Sequence, residues 1–323
     1  PRPTLQGLAV SILDHDTGDL NVVGLRVVNR VTVRTHSVIA SYRFEACLLE
    51  DGLWHGGPPP AFDHAGGLTL LRCVIRGAVG MTVGSLTMES DTVNAAGGMS
   101  FHAIDPIRVS NCWFRDSPIG LELFIRTGGA SVEVVGSEFE NCDIGLRVND
   151  NDNSAPVLVQ KNRFQNCRDW GVRVEQVGGM RVFGNTAWRC GVGFGAWYSR
   201  GSTLVIGNTA TESTSHGIEI LNDGFDFDIQ DNVVLGCSGS GIRVVDYEYG
   251  GDYVRRITAN TSALNQGAGF DLTVYNPYQQ TFAYDVSRNV GHGNGGPGLK
   301  WTLTGPGAPT LGCNDWFANT AGA

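Results

Sequence analysis

Asparagine recurs at one phase in the C-terminal half of this chain, at Asn162, Asn185, Asn208, Asn232, Asn260, Asn289 and Asn314, with spacings of 23, 23, 24, 28, 29 and 25 residues. A period of this size restricts a chain to architectures in which each repeat buries its apolar face on the next. A second column runs in step, five residues on: Ser117, Cys142, Cys167, Cys190, Ser213, Cys237, Asn265, Asn294 and Asn319. A third is glycine, at 120, 145, 171, 193, 217, 241, 269 and 298. Segments 157–174, 204–220 and 227–244 show the unit most clearly, each reading strand, turn, short strand, turn, strand. Pairs two residues apart, such as Val172 and Val174 or Ile242 and Val244, point to one side of a strand and the residue between them to the other.

Strands this short, repeated at one coil per period, stack rung on rung. The pattern therefore predicts an all-β chain, a single-stranded right-handed parallel β-helix (solenoid) of about 11–12 coils, roughly 50 to 60 Å long at about 4.8 Å per rung. In such a stack like packs on like. The Asn column reads as bends that tolerate left-handed backbone angles and whose amides bond their copies above and below, and the Gly column as corners needing positive φ. Residues 68–83 fit the same frame, and Cys47, Cys73 and Cys112 take the phase held later by Asn.

The chain reads as one continuous domain over residues 1–323, beginning near residue 5, with a Gly/Pro-rich loop insertion at 51–67. Neither end offers a helical cap, and residues 310–323 start a further coil and stop partway through it. The expectation is a chain that continues beyond Ala323 or ends that pair with other molecules. The chain opens on Pro1 with no charged-then-apolar leader, so any targeting segment is expected to have been removed or to lie outside this sequence.

The three columns resemble those of the parallel β-helix repeat proteins of the pectate-lyase-like superfamily over roughly residues 20 to 320. The resemblance implies the fold directly. It implies activity only by class, since that superfamily holds polysaccharide lyases, hydrolases and epimerases beside tailspikes, adhesins and silent rods. The Asn-Thr-Asp-Gly, Gly-His-Gly and Arg-Ile-Lys segments expected of polygalacturonases are absent, as is the Tyr-Asp-Pro-His of alginate epimerases. Lysine occurs only at 161 and 300, so a basic cradle for polyuronate is hard to assemble.

Composition narrows the partners. A net charge of -9 with no basic block excludes a nucleic-acid or anionic-membrane partner, and no apolar run reaches spanning length. Eight Cys without a C-x-x-C pair read as buried thiols rather than a metal or disulfide framework.

Candidate chemistry lies on the outward column after each corner Gly: Glu122, Arg147, Arg173, Gly195, Glu219, Arg243, Asp271 and Lys300. Alternating signs make an ion ladder, which Gly195 interrupts. Trp197 and Tyr198 follow on that coil, so an aromatic-floored notch is expected there, or simply a Gly that lets a Trp lie flat. If the notch is catalytic, Arg173 and Glu219 on the flanking rungs serve as base and acid. Trp197, Tyr198, Glu175, Asn222, Asp223 and Tyr247 line it for a sugar. No metal ligands are assigned and no cofactor is required. Ca²⁺ on carboxylates of adjacent rungs is what the resemblance to polyuronate lyases implies, against ordinary solvated turns made by Asp150, Asp152, Asp246, Glu248 and Asp252. A second cluster would form if the 51–67 loop brought His55, Asp63 and His64 over His102 and Asp105.

Two functions follow. One is an extracellular or cell-surface protein that binds or processes a polysaccharide or cell-surface glycan, as a lyase or hydrolase if catalytic. The other is a non-catalytic structural or adhesive rod that associates end to end.

Overall fold

In the computed structural model each coil makes three strands in a fixed order, and every strand pairs in parallel with its equivalents on neighbouring coils. The structure describes residues 3–6, 9–12, 19–28, 31–35, 41–55, 66–103, 106–125, 131–150, 154–222, 225–247, 253–276, 283–304 and 308–320. The chain is a right-handed parallel β-helix whose three sheets hold 14, 13 and 13 strands. The first sheet runs from Thr4–Gln6 to Asp315–Phe317, the second from Ala9–Ile12 to Leu299–Thr304, and the third from Leu20–Val23 to Ala308–Gly312. The stack begins before Cys47, as expected, although no column residue marks its first coils.

The interior is built of single-residue columns. On the third sheet Leu70, Met88, Val109, Val134, Val159, Val182 and Val205 stack in register, each at most 1% exposed. On the first, Phe114, Phe139 and Phe164 stack with ring centroids 4.7 and 4.8 Å apart, the height of a rung, so backbone pairing itself sets a favourable aromatic offset.

The three corners differ. Between the third and first sheets every coil turns in two residues. The first of the two has positive φ, from 46° at Cys313 to 69° at Gly24, and the second is the ladder residue. The left-handed angle thus falls on Lys161, Gly184, Gly207 or Asp231, one residue before the Asn rather than on it. The Asn contributes hydrogen bonds instead. Oδ1 of Asn185 accepts the Asn162 backbone N–H at 2.8 Å, and Nδ2 of Asn185 donates to the Val159 carbonyl at 2.9 Å. The pattern repeats through Asn208, Asn232, Asn260 and Asn289, so buried corner amides and carbonyls of adjacent coils are bonded by side chains.

The Gly column has a different cause from the one expected. None of these glycines has positive φ among the described residues. A Cβ at Gly145 would lie 2.7 Å from the Gly171 carbonyl oxygen and 2.8 Å from the Phe164 ring, and Gly120, Gly171 and Gly193 meet the next glycine's carbonyl at 2.6 Å. The column is glycine because successive coils approach one another too closely there for a side chain.

The third corner, from second sheet to third, is unlike the others. It takes two residues after Val83 but twelve after His55. Residues 56–65 of the expected 51–67 insertion lie outside the described set, but Leu53–His55 form a strand of the second sheet and belong to the rod. This corner has the widest range of lengths, two to twelve residues against two to six between the first and second sheets, and it places variable chain beside one edge of the second sheet.

Candidate functional site

The outward face of the second sheet carries the charged column, and its register matches the reading from sequence rung by rung: Glu122, Arg147, Arg173, Gly195, Glu219, Arg243, Asp271, Lys300. Strands lying about 4.8 Å apart bring these side chains within reach of their neighbours. Arg147 donates to Glu122 at 3.1 Å, and Arg243 and Lys300 pair with Glu219 and Asp271.

Two residues further along each strand a second column reads His102, Phe124, Asn149, Glu175 and Trp197. His102 stacks on Phe124 with centroids 4.8 Å apart. Glu175, only 8% exposed, accepts from Arg147 at 3.1 Å and from Arg173 Nε at 2.8 Å. The Arg173 guanidinium lies 4.1 Å from the Trp197 ring, and Trp170 meets Trp197 edge-on at 5.1 Å. The outcome is one stripe of aromatic rings bound together by Arg–Glu pairs. It runs along the edge of the sheet that adjoins the variable corner. Sequence reasoning missed Trp170, Phe124 and His102 as members. Counting two residues on from the Glu122–Arg173 column would have found Phe124 and, one coil earlier, His102.

The expected notch is filled. The Trp170 ring lies over Gly195, so close that a Cβ there would come within 2.2 Å of it. The glycine does let a Trp lie flat, but that Trp comes from the preceding coil. Arg173 and Glu219 are therefore not brought together. They stand two rungs apart, roughly 10 Å, with Trp170 between them, and each is held by its own partner, Glu175 and Arg243. Asn222 is not a surface group either: it is 2% exposed and donates to Asp246 at 2.8 Å and to the Phe225 carbonyl at 2.9 Å. Asp246 also accepts from Arg255 at 2.8 Å and from the Tyr284 hydroxyl, a network wholly inside the rod. Tyr198 is 37% exposed, and half-buried Tyr247 stacks on Tyr275 at 5.1 Å, both at the variable corner. Asp223 lies outside the described residues.

The carboxylates considered for Ca²⁺ are occupied where they are described. Asp150 accepts the backbone N–H groups of Ser154 and Ala155, each at 2.7 Å, and Asp246 is paired with Arg255. Asp152, Glu248 and Asp252 lie outside the described residues, as do Asp63, His64, Asp105 and the His55 side chain. Among the described residues no three His, Cys, Asp or Glu side chains are placed to hold a metal.

Comparison with known proteins adds a family. The profile described as periplasmic copper-binding protein (NosD) matches residues 85–281. The chain belongs to the NosD family. No curated protein matches it. Of solved structures, the periplasmic alginate epimerase AlgG is similar over 92% of this chain and 76% of that one, at 10% identity and a TM-score of 0.55. A point mutant of AlgG covers 96% and 76%, at 10% identity with a TM-score of 0.58. The A-module of the mannuronan C-5 epimerase AlgE4 of Azotobacter vinelandii covers 97% and 86%, at 14% identity and 0.42. At these identities the AlgG structures show a common fold.

The family's description raises copper, and the soft donors of this NosD-family chain do not fit it among the described residues. Thiolate, thioether and imidazole are the ligands copper favours. Seven of the eight thiols are buried and take ladder places at the corners, where Cys47 and Cys73 donate to the carbonyls of Val22 and Phe44 as the Asn amides do further on. Burial pushes the Cys112 thiol up to about 12 and raises Cys142 and Cys237, which disfavours the thiolate there, whereas hydrogen bonds from the neighbouring thiols Cys73 and Cys167 lower Cys47 and Cys190. All four methionines are core residues. His216 accepts the Ser240 N–H through Nδ1, and the His292 ring lies tilted against Phe317.

Proposed function

We propose that this NosD-family chain is a non-catalytic envelope protein that binds a neutral or weakly charged polysaccharide along the outward edge of its second sheet. The observation that carries this reading is the aromatic and Arg–Glu stripe of His102, Phe124, Arg147, Glu175, Arg173 and Trp197 beside the corner that holds the longest connections. Rings with fixed orientation offer flat apolar faces to the C–H surface of sugars, and the pair network around them offers hydrogen-bond groups without rearrangement. Arg147 and Arg173 are together balanced by Glu122 and Glu175, which supports a neutral ligand over a polyuronate. Tyr198 and Tyr247 extend the surface at the same corner. The separation of Arg173 from Glu219 by Trp170 supports binding over cleavage, since acid and base must reach one glycosidic bond. The family description and the shared fold of a periplasmic alginate epimerase support an envelope location.

The test is a panel of neutral and acidic polysaccharides screened by calorimetry, with reducing-sugar release and unsaturated-product absorbance followed on the same samples. The expected result is binding to at least one neutral glycan, no product, and at least a tenfold loss of affinity in Trp197→Ala with the melting temperature within a few degrees of wild type. Unchanged affinity in that variant would remove the stripe. Tight copper binding with no glycan binding on the panel would overturn the reading and direct attention to the donors outside the described residues.

A further inference from the structure

In the two-residue corner between the third and first sheets most ladder side chains follow one hydrogen-bonding rule, and one ladder place is held by an acid. Apart from Leu25, which has no donor, Asp91, and Cys112 and Ser137, which donate within their own coil to the Ser110 and Val135 carbonyls, the ladder side chain donates to a carbonyl on the coil before. Cys47 donates to Val22, Cys73 to Phe44, Asn162 to Val134, Asn185 to Val159, Asn208 to Val182 and Asn232 to Val205. From Asn162 on, the same side chain also accepts the ladder-residue N–H of the preceding coil through Oδ1.

Asp91 holds this place between Cys73 and Cys112, two residues after Glu89 and next to Ser90 at φ +57°. It is 1% exposed. Its Oδ1 accepts the Cys73 N–H at 2.6 Å, which is what an Asn Oδ1 does elsewhere in the column. Its Oδ2 therefore stands where an amide NH₂ stands in every Asn coil. That oxygen is buried and has no hydrogen-bond partner as a carboxylate. By register the group it replaces would donate to the carbonyl of Leu70, which pairs with Phe44 on one side and Met88 on the other.

We infer that Asp91 is a neutral carboxylic acid in the folded protein, its Oδ2–H donating to the Leu70 carbonyl as an asparagine amide would, so that the ladder is continuous only while this proton is held. A carboxylate there would set a buried negative oxygen against a carbonyl oxygen, whereas the protonated acid has a donor and an acceptor in the places the corner requires. Backbone hydrogen bonds at Cys73 and Glu89 favour the charged form but are outweighed by burial, and among the described residues no cation faces the group. Cys73 and Cys112 on the adjoining coils are buried thiols, Glu89 on its own coil is an acid, and Asp91 forms no ion pair among the described residues. Burial, the largest influence, pushes the Asp91 carboxyl up to about 7.

The direction with pH follows from linkage. The folded group binds its proton up to about pH 7, whereas an unfolded Asp releases it near about 3.9. The stabilisation from the proton is fully present below about pH 4 and is lost as pH rises through about 7. The rod is therefore built to loosen at its fourth ladder position on going from acid to alkaline conditions.

The experiment is a carboxyl ¹³C NMR titration of the folded protein labelled at aspartate, with Asp91→Asn used to assign the resonance. The expected midpoint lies near pH 7, about three pH units above an ordinary Asp. A midpoint near 4 overturns the inference. As a second measurement, the wild-type melting temperature minus that of Asp91→Asn should fall between pH 5 and 8, because Asn donates at every pH; a difference independent of pH overturns it equally.

Discussion

The most direct test of the ladder is Asn208→Ala, in the middle of the Asn column. Oδ1 of Asn208 accepts the Asn185 backbone N–H at 2.9 Å, and its Nδ2 donates to the Val182 carbonyl at 2.8 Å. Asn208 is 1% exposed, so water cannot replace either bond. The neighbouring amides keep alternatives, since Asn185 Nδ2 retains the Val159 carbonyl at 2.9 Å. Two buried backbone groups are thus stranded, at about 1–3 kcal/mol each, for a total of about 2–6 kcal/mol. Asn166→Ala is the matched control. Its amide bonds Asn141 at 3.1 Å in an exposed pair, and its loss should cost no more than about 0.5 kcal/mol, apart from the left-handed angle it occupies. Urea denaturation followed by circular dichroism, with slopes compared to confirm the same cooperative unit, measures both. A cost below about 1 kcal/mol for Asn208→Ala, or equal costs for the two variants, would refute the claim that the column works by satisfying buried backbone.

Two further outcomes are expected. Gly145→Ala should destabilise by about 1–3 kcal/mol through overpacking against the next coil, whereas Gly184→Ala, at φ +61° with nothing within 4 Å, should cost only about 1 kcal/mol of backbone strain; thermal melts of the pair distinguish close approach from conformation. A thiol reagent applied to the native protein should modify Cys313, the exposed cysteine, and leave the seven buried ones until denaturant is added; rapid labelling of more than one thiol under native conditions would contradict the ladder role of the rest.

The site was only partly legible. The charged column from Glu122 to Lys300 could be aligned from sequence because corner glycines mark its phase, and strand pairing preserves that phase across coils. Trp170 could not be assigned the same way. It sits five residues before Glu175, in a different column, and reaches Gly195 on the next coil through the length of its ring. Asn222 and Asp246 looked like surface turn residues by type, yet they bond one another and Arg255 inside the rod. Only the path of the chain at the variable corner turns them inward.

By itself the sequence determined the parallel β-helix and its register, because a one-dimensional stack repeats each residue's environment and so writes its packing rules into periodic columns. It did not determine why those columns hold the residues they do. The left-handed angle sits beside the Asn, and the Gly is required by contact with the next coil. These are relations between coils more than 20 residues apart. The tertiary structure also decided what the outward face offers, since which side chain covers a glycine, and which Arg a buried Glu holds, depends on side-chain reach across rungs that spacing along the chain does not encode.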